Sequence, residues 1–461
     1  MFKKFIKIMK MAPAIERLNI DKDELQRVYR YWRIRAFYSV FIGYAFFYIC
    51  RTNLSIAMPR IIQDLGYSKT QMGIVTSLFY VTYAIAKFTN GVLCDKANPR
   101  YFMALGLFLA SCVNIFFAFS PAMASNLTVV VGATISPIFF FALFWAINGY
   151  MQSMGSPMGP KVMSSWFSIS ERGTKYSVYN TCHNVGAFII MAVGGWIVQK
   201  WGWQAGFYIP GMFCALGALF VVNRLRDRPE SLGLPSVNEY RNDYSAMEKD
   251  NTKITDSSTL KEIAWHYVFS NYRIWLLAFA SLFVYIIRYG LMDWAPTYLV
   301  EAKGSSIGFA GLKASVIELF GIPGGILAGM ATDFFFKGRR IPVAIICLAC
   351  LGLSATALFF VPPGHPILDT VLLAACGFFT YGPQMLIPGL AAIDFATRRA
   401  AGTAVGLTGS FSYFGAMVSG VGSGILIDKF GWNGGFYLWV GSALIAMFLV
   451  LPLWKAKALS D

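Results

Sequence analysis

Gly202-Trp-Gln-Ala-Gly-Phe-Tyr208 recurs as Gly431-Trp-Asn-Gly-Gly-Phe-Tyr437, 229 residues later. At the same offset Gly173-Thr174 falls on Gly402-Thr403, and Gly186 on Gly415. The chain is therefore read as two copies of one unit. Each copy is dominated by apolar runs of about 20 residues, the length a helix needs to cross a bilayer. Composition agrees: of 461 residues, 56% are hydrophobic and 13% are charged, against roughly 25% charged in an ordinary soluble domain.

Working outward from the repeat, the expected fold is an all-α membrane protein of twelve spans in two sets of six. The first set covers approximately 36–59, 72–94, 101–120, 127–151, 176–199 and 203–223. The second covers 274–299, 307–331, 341–361, 367–391, 402–425 and 433–454. In domain terms these give an N-terminal tail (1–35), a first six-helix bundle (36–223), a polar linker (224–272), a second bundle (273–454) and a short C-terminal tail (455–461). No cleavable apolar region follows the basic N-terminus, because Lys3, Lys4, Lys7 and Lys10 interrupt its short apolar groups.

The net charge is +16. On a soluble protein this would suggest nucleic acid. Here the basic residues edge the spans. They concentrate in the tail (Lys3 to Arg35) and in the linker (Arg224, Arg226, Arg228, Arg241, Lys249, Lys253, Lys261). That is the positive-inside pattern, so both termini are expected to be cytoplasmic and a nucleic-acid partner is not. The eight cysteines lie in or beside apolar segments, and the Cys347/Cys350 pair has neither a second pair nor a nearby histidine. They read as packing residues, with no metal or other cofactor expected.

Two charges sit where charge is expensive. Tyr48-Ile-Cys-Arg51 and Tyr285-Ile-Ile-Arg288 occupy corresponding apolar stretches of the two halves. An arginine near the bilayer centre costs at least about 2.5–3.5 kcal/mol on insertion scales. Two such residues at matching places suggest two guanidiniums facing each other, and the simplest ligand for two permanently charged forks is a phosphate. Tyr44, Tyr48 and Arg51 share one helix face by their spacing. Asp293, five positions after Arg288, is badly placed on a regular helix for a direct ion pair with it.

Other polar residues inside spans are weighed one by one. Lys87 either snorkels to the interface or acts electrostatically near the pore. Glu318 is expected to make a salt link to a neighbouring helix. His183 is the one histidine of three inside a span, a turn from Tyr179. It is either a donor to a phosphate or sugar oxygen or a buried bridge between helices. His266 and His365 fall in loops. The loop after the second span, Gly91-Val-Leu-Cys-Asp95-Lys96-Ala-Asn-Pro-Arg100, is echoed after the eighth by Gly329-Met-Ala-Thr-Asp333 with Lys337, Arg339 and Arg340. Asp95 with Arg100, and Asp333 with Arg339, are candidates for ties between helices that gate one face. Asp293 and Glu318 are grouped with them as conformational residues.

Six-plus-six parallel repeats, the basic middle loop and this G-xxx-D-basic loop resemble the major facilitator superfamily, in which the site lies between the halves near the midplane. The stretches around Arg51, His183 and Arg288, with Phe379-Thr-Tyr381-Gly-Pro-Gln-Met-Leu, Ala401-Gly-Thr403 and Arg224-Leu-Arg-Asp-Arg-Pro229, are similar to the organophosphate:phosphate antiporters. The resemblance covers nearly the whole chain. It implies phosphate binding by Arg51 and Arg288 with His183 beside them, and places Tyr44, Tyr48, Tyr285 and Tyr381 around the pore. It implies a sugar phosphate and inorganic phosphate as partners, a bacterial inner-membrane location and function as a monomer.

The chain departs from its relatives in places. Thr52 stands where glycerol-phosphate carriers commonly have a lysine. Gly155-Ser156-Pro157 is similar to the hexose-phosphate branch. Val405 and Thr408 stand where hexose-phosphate carriers can have Asp and Lys. Asp293 matches the Arg-Tyr-Gly-x-x-Asp-Trp pattern of glycerol-phosphate carriers. The expected function is exchange of a hexose phosphate, foremost glucose 6-phosphate, for inorganic phosphate. The alternatives are a glycerol-3-phosphate antiporter and a transporter-like sensor. No P-loop, nucleophile elbow or metal cluster suggests an enzyme.

Overall fold

The computed structural model describes residues 8–243, 265–396 and 400–456, apart from the side chain of His266. Lys3, Lys4, Lys7, Lys249, Lys253 and Lys261 lie outside the described residues, as does most of the 455–461 tail. Among the described residues the chain is helical throughout its spans. In the first half the elements are α1 (Lys22–Leu65), α2 (Lys69–Lys96), α3 (Pro99–Ala118), α4 (Ser120–Val131), α5 (Pro137–Gln152), α6 (Met158–Trp166), α7 (Ile169–Asn180), α8 (Cys182–Trp201) and α9 (Ala205–Arg224). A short α10 (Val237–Arg241) lies in the linker. The second half has α11 (Tyr272–Glu301), α12 (Ile307–Phe334), α13 (Arg340–Phe360), α14 (Pro366–Met385), α15 (Ala401–Phe430) and α16 (Trp432–Val450).

Eleven of the described helical stretches are long and apolar enough to cross a membrane. The remaining crossing is the 16-residue α5, completing six per half. Here the expected span 127–151 is corrected. Gly132, in the left-handed region at φ 73°, ends α4, and Pro137 starts α5. Residues 127–131 therefore belong to a separate helix. The expected 176–199 span also changes: the helix starts at Ile169 behind a Ser168/Glu171 capping box and is interrupted at Thr181. The supposed tail is partly helix, since α1 begins at Lys22, where Asp21 accepts a hydrogen bond from the Glu24 amide at 2.7 Å. Before it, residues 9–18 form a strap. Met11 donates to the Lys96 carbonyl, Ala12 to Asp227 and Leu18 to the Gly233 carbonyl.

The repeated motif explains itself in three dimensions. Gly202 and Gly431 turn the chain between α8 and α9 and between α15 and α16, at φ 85° and 64°, values that a residue with a Cβ adopts only with strain. Four residues on, Gly206 sits so close to Val198 that a Cβ would lie 2.6 Å from its methyl group. Phe207 and Phe436 then bury their rings. The motif is thus the tight, close-packed corner of the last helical hairpin in each half.

Across the pseudo-repeat, α2 packs on α15, α8 on α12 and α1 on α11. The ends of these helices fall on two sides: a terminal side, carrying Lys22 and Leu453, and a far side. On the far side the halves touch closely. Asp428 of α15 accepts from the Lys69 and Thr70 amides at 3.1 and 2.7 Å and from the Thr70 hydroxyl at 2.6 Å, capping α2 of the other half. Lys69 also pairs with Glu301 at 3.1 Å. Deeper in, Ser77 inserts its hydroxyl into the α15 ladder, donating to the Met417 carbonyl and accepting from the Val421 amide. Small residues let the backbones meet there, Gly73 lying against the Gly420 carbonyl. On the terminal side a cavity of about 520 Å³ separates the halves, with His183 and Asn180 on one wall and Gly325, Tyr381 and Gln384 on the other. The molecule is closed on the far side and open on the terminal side.

Candidate functional site between the two halves

Arg51 is carried by α1 and Arg288 by α11, and both are buried, at 6% and 4% exposure. Neither has a carboxylate within 4 Å among the described residues. Arg51 donates to the Tyr289 hydroxyl of the opposite half at 3.0 Å and more distantly to Tyr48 at 3.4 Å. Its guanidinium carbon lies 4.9, 5.1 and 5.0 Å from the ring centres of Tyr48, Phe79 and Tyr83. Arg288 donates to the Tyr381 hydroxyl at 3.1 Å and lies 4.6 Å from that ring. Aromatic faces stabilise a cation without neutralising it. Three guanidinium nitrogens, Nε of Arg51 and Nε and Nη1 of Arg288, are buried with no partner. Such groups are costly unless something completes them.

The two cations share a neighbour. The Tyr289 ring centre is 5.9 Å from the Arg51 carbon and 5.3 Å from that of Arg288. Their separation therefore cannot exceed the sum of those two lengths. This brings together the pair the sequence singled out.

His183 joins them through its ring, which also has a backbone hydrogen bond to Asn180. Its imidazole centre is 5.3 Å from Tyr48 and 6.0 Å from Tyr381, and it lines the open cavity. Tyr44 extends the aromatic wall, 5.7 Å from Tyr48 and 6.1 Å from Tyr179. Tyr179 and His183 do not stand on one continuous helix, because the break at Thr181 separates α7 from α8. Tyr179 instead fills the space that Gly159 leaves behind Tyr44. Tyr285 is half-buried between Tyr289 and Tyr413. Lys87 is exposed on the terminal side, 5.2 Å from the Tyr413 ring.

Glu318 and Asp333 differ from expectation, while Asp293 does not. Glu318 makes no salt link; it accepts hydrogen bonds from Tyr381 and, across the halves, from Asn184 at 3.0 Å. Tyr381 is thereby fixed from both sides, accepting from Arg288 and donating to Glu318. Asp293 accepts from Tyr80 of the opposite half at 2.7 Å and forms no ion pair with Arg288. In the terminal-side loops, Asp333 pairs with Arg340 at 3.0 Å rather than with Arg339, whose Nε donates to the Phe336 carbonyl. Arg340 also holds Asp394, tying α13 to the end of the α14 segment. Asp95 is exposed and unpaired, and Arg100 turns to the Val222 carbonyl. The two loops are alike in sequence but not in contacts: one carries an ion-pair tie, the other does not.

Sequence reasoning missed Tyr80, Tyr83, Tyr289, Tyr413 and Asn184 as members of the site. Two carried a signal. Tyr289 directly follows Arg288, and Asn184 directly follows His183. Thr408, singled out for lacking a charge, is fully buried and donates to the Pro388 carbonyl at 2.7 Å.

Taken as chemistry, the arrangement offers permanent positive charge, hydroxyl and amide groups and flat aromatic walls. It suits reversible recognition of an anion with a polar body. Comparison with known proteins agrees. The family described as Major Facilitator Superfamily matches residues 40–420 and 309–458. A "Probable hexose phosphate transport protein" of Chlamydia trachomatis is 40% identical over 95% of this chain and 94% of its own. The "Glycerol-3-phosphate transporter" of Bacillus subtilis is 41% identical over 98% of both. The "Membrane sensor protein UhpC" of Escherichia coli is 36% identical over 97% of this chain and 98% of its own. A solved bacterial homologue of the human lysosomal transporter Spinster shares the fold, with TM-score 0.69 at 16% identity over 93% of this chain and 99% of that one.

Proposed function

The chain belongs to the organophosphate:phosphate antiporter family of the major facilitator superfamily, and we propose that it exchanges a hexose phosphate, foremost glucose 6-phosphate, for inorganic phosphate. The observation that carries this reading is the pair of buried arginines with no carboxylate within 4 Å among the described residues and three unpartnered nitrogens. A phosphate placed between them completes those donors with charge-assisted hydrogen bonds. His183 and Tyr381, which line the open cavity, are then the residues offered to the organic part of the substrate, with Tyr44, Tyr48 and Tyr285 in the aromatic wall around the arginines and Lys87 beside Tyr413. Inorganic phosphate fits the same two forks without using that wall, so one site serves both partners of the exchange.

Alternating access follows from the two sides. With the far side latched and the terminal side open, substrate enters from the terminal side, which the basic loops make cytoplasmic in a bacterial inner membrane. Drawing the halves together over a bound phosphate would close the terminal cavity and release the far-side contacts. Asp333 and Arg340 lie on the wall of the cavity that must close, which gives their ion pair a gating role.

Two other readings have a specific observation behind them. The Bacillus relative and the Asp293 pattern favour glycerol 3-phosphate. The UhpC relative favours a sensor that binds a sugar phosphate without carrying it. Proteoliposomes loaded with inorganic phosphate separate the three. Saturable uptake of labelled glucose 6-phosphate is expected, abolished when internal phosphate is omitted. Uptake of glycerol 3-phosphate in its place would shift the substrate. Binding without uptake of either would make the chain a sensor.

A further inference from the structure

A second cationic pocket lies away from the transport path, on the terminal side between α1, the start of α7 and the linker helix α10. Its volume is about 420 Å³. Four cations line it, Arg30, Arg33, Lys175 and Arg241, against the single carboxylate of Glu171. That carboxylate is already engaged by Arg33 and, at 3.5 Å, by Arg241. Arg30 and Lys175 are exposed and have no ion pair or hydrogen bond among the described residues. The Nε of Arg33 is buried without a partner.

One wall of the pocket is apolar. Ile34, Phe37 and Tyr38 climb α1 from the charged mouth toward the membrane-spanning part of the helix. Ile34 is 56% exposed, while Phe37 packs edge-on to Phe167 and Tyr38 against Phe220. The linker closes the other side. Tyr240 stacks on Tyr29 at 3.9 Å, and Glu239 pairs with Arg17 at 2.6 Å.

We infer that this pocket is an anion site for a phosphate-bearing headgroup, and that its occupant is an anionic phospholipid of the surrounding leaflet. The cations at the mouth match a phosphodiester, and basic pockets between spanning helices on the cytoplasmic side are suited to such headgroups. The exposed apolar wall gives the acyl chains a place to lie. A free phosphate would use the same cations but leave that wall uncovered. Because Arg241 and Tyr240 belong to the linker, a bound headgroup fastens the linker to the first half. The inference does not depend on which substrate the central site carries.

The test is native mass spectrometry of the full chain released from micelles. Wild type is compared with an Arg30→Gln/Lys175→Gln double variant, each titrated with phosphatidylglycerol and, separately, with phosphatidylcholine. Both replaced side chains are exposed and make no ion pair or hydrogen bond among the described residues, so the variant should keep its melting point. Each lost cation is expected to weaken phosphatidylglycerol binding about fivefold, hence roughly 25-fold for the pair. Phosphatidylcholine binding should not change. Equal phosphatidylglycerol binding by the two proteins overturns the site. A Lys175→Glu variant gives the same reading should the double variant melt early. In a third arm inorganic phosphate is added in excess. If it strips phosphatidylglycerol from wild type but leaves a phosphatidylglycerol-free preparation with bound phosphate, the lipid assignment is wrong and the pocket takes a free anion.

Discussion

Replacing Arg288 with lysine should separate charge from geometry at the central site. In the wild-type protein one nitrogen of Arg288 is spent on Tyr381, at 3.1 Å, and two remain without a partner in the buried site. Lysine keeps the positive charge but concentrates its donors on one nitrogen, at the end of a flexible stem. It can hold the Tyr381 hydroxyl or reach for a phosphate oxygen, but it has no second, coplanar nitrogen with which to do both. The variant is therefore expected to lose at least one charge-assisted hydrogen bond to phosphate, worth about 1.5–3 kcal/mol. That corresponds to roughly 10- to 150-fold in affinity. The same substitution at Arg51 should behave alike, with the added loss of the 3.0 Å bond to Tyr289 that joins the halves.

The assay is phosphate binding by calorimetry on the purified variant, together with phosphate-driven exchange in proteoliposomes. Far-ultraviolet dichroism and melting point report whether the protein is still folded. Arg288→Lys that is folded, binds phosphate within about twofold of wild type and exchanges at a normal rate would refute the reasoning, because nothing would then require a planar fork.

Two further predictions test the neighbouring parts. His183→Ala removes a ring that lies beside Tyr48 and Tyr381 and gives up one local backbone hydrogen bond to Asn180, so sugar-phosphate affinity should fall by about 2- to 13-fold, the worth of one hydrogen bond to the ligand, with only a small change in melting point; equal affinity would leave His183 as packing. Asp428→Ala removes the cap that α15 places on α2 of the other half, about 0.5–2 kcal/mol for such a cap, and should raise the far-side-open population by roughly 2- to 30-fold; faster labelling of a Ser55→Cys reporter by an impermeant maleimide applied to the far side reads this, and an unchanged rate would mean that the cap does not hold the far side shut.

The fold was legible because its signals are redundant. Span length, charge placement and the recurring Gly-Trp corner all report the same architecture, and each is a local property of the chain. What misled was local too: the apolar run over 127–151 continues through Gly132 and Pro137, and only the left-handed glycine and the proline start reveal two helices with different fates. The central arginines were legible because burying a charge is expensive enough to demand a reason. Four of the tyrosines around them, Tyr80, Tyr83, Tyr289 and Tyr413, were not. A tyrosine inside an apolar helix is cheap, and its spacing does not say whether its hydroxyl reaches across to the other half. Tyr80 with Asp293, and Tyr289 with Arg51, are contacts between chain segments more than 200 residues apart. The ion-pair partner in the loop was missed for a smaller reason: Arg339 and Arg340 are adjacent, and the left-handed turn through Lys337 and Gly338 decides which one faces Asp333.

The asymmetry between the two sides bears on how exchange can be obligatory. The far-side contacts, Asp428 on α2, Lys69 with Glu301 and the Gly73–Gly420 approach, involve none of the groups that face the central anion site, so a bound anion does not act on them directly. Closing the terminal side must be driven by something that changes on binding. The two guanidiniums supply it. At a separation of at most about 11 Å and an effective dielectric of about 20, they repel by at least roughly 1.5 kcal/mol, and closure that removes water from the cavity raises this figure. A phosphate carrying up to two negative charges converts the repulsion into attraction for both halves. The loaded protein then has a reason to close that the empty one lacks, and the differential affinity of the anion for the closed arrangement sets how strongly the equilibrium shifts. On the proposed exchange, inorganic phosphate and a sugar phosphate present the same charged end, so either one would license the movement and neither direction would proceed without one of them.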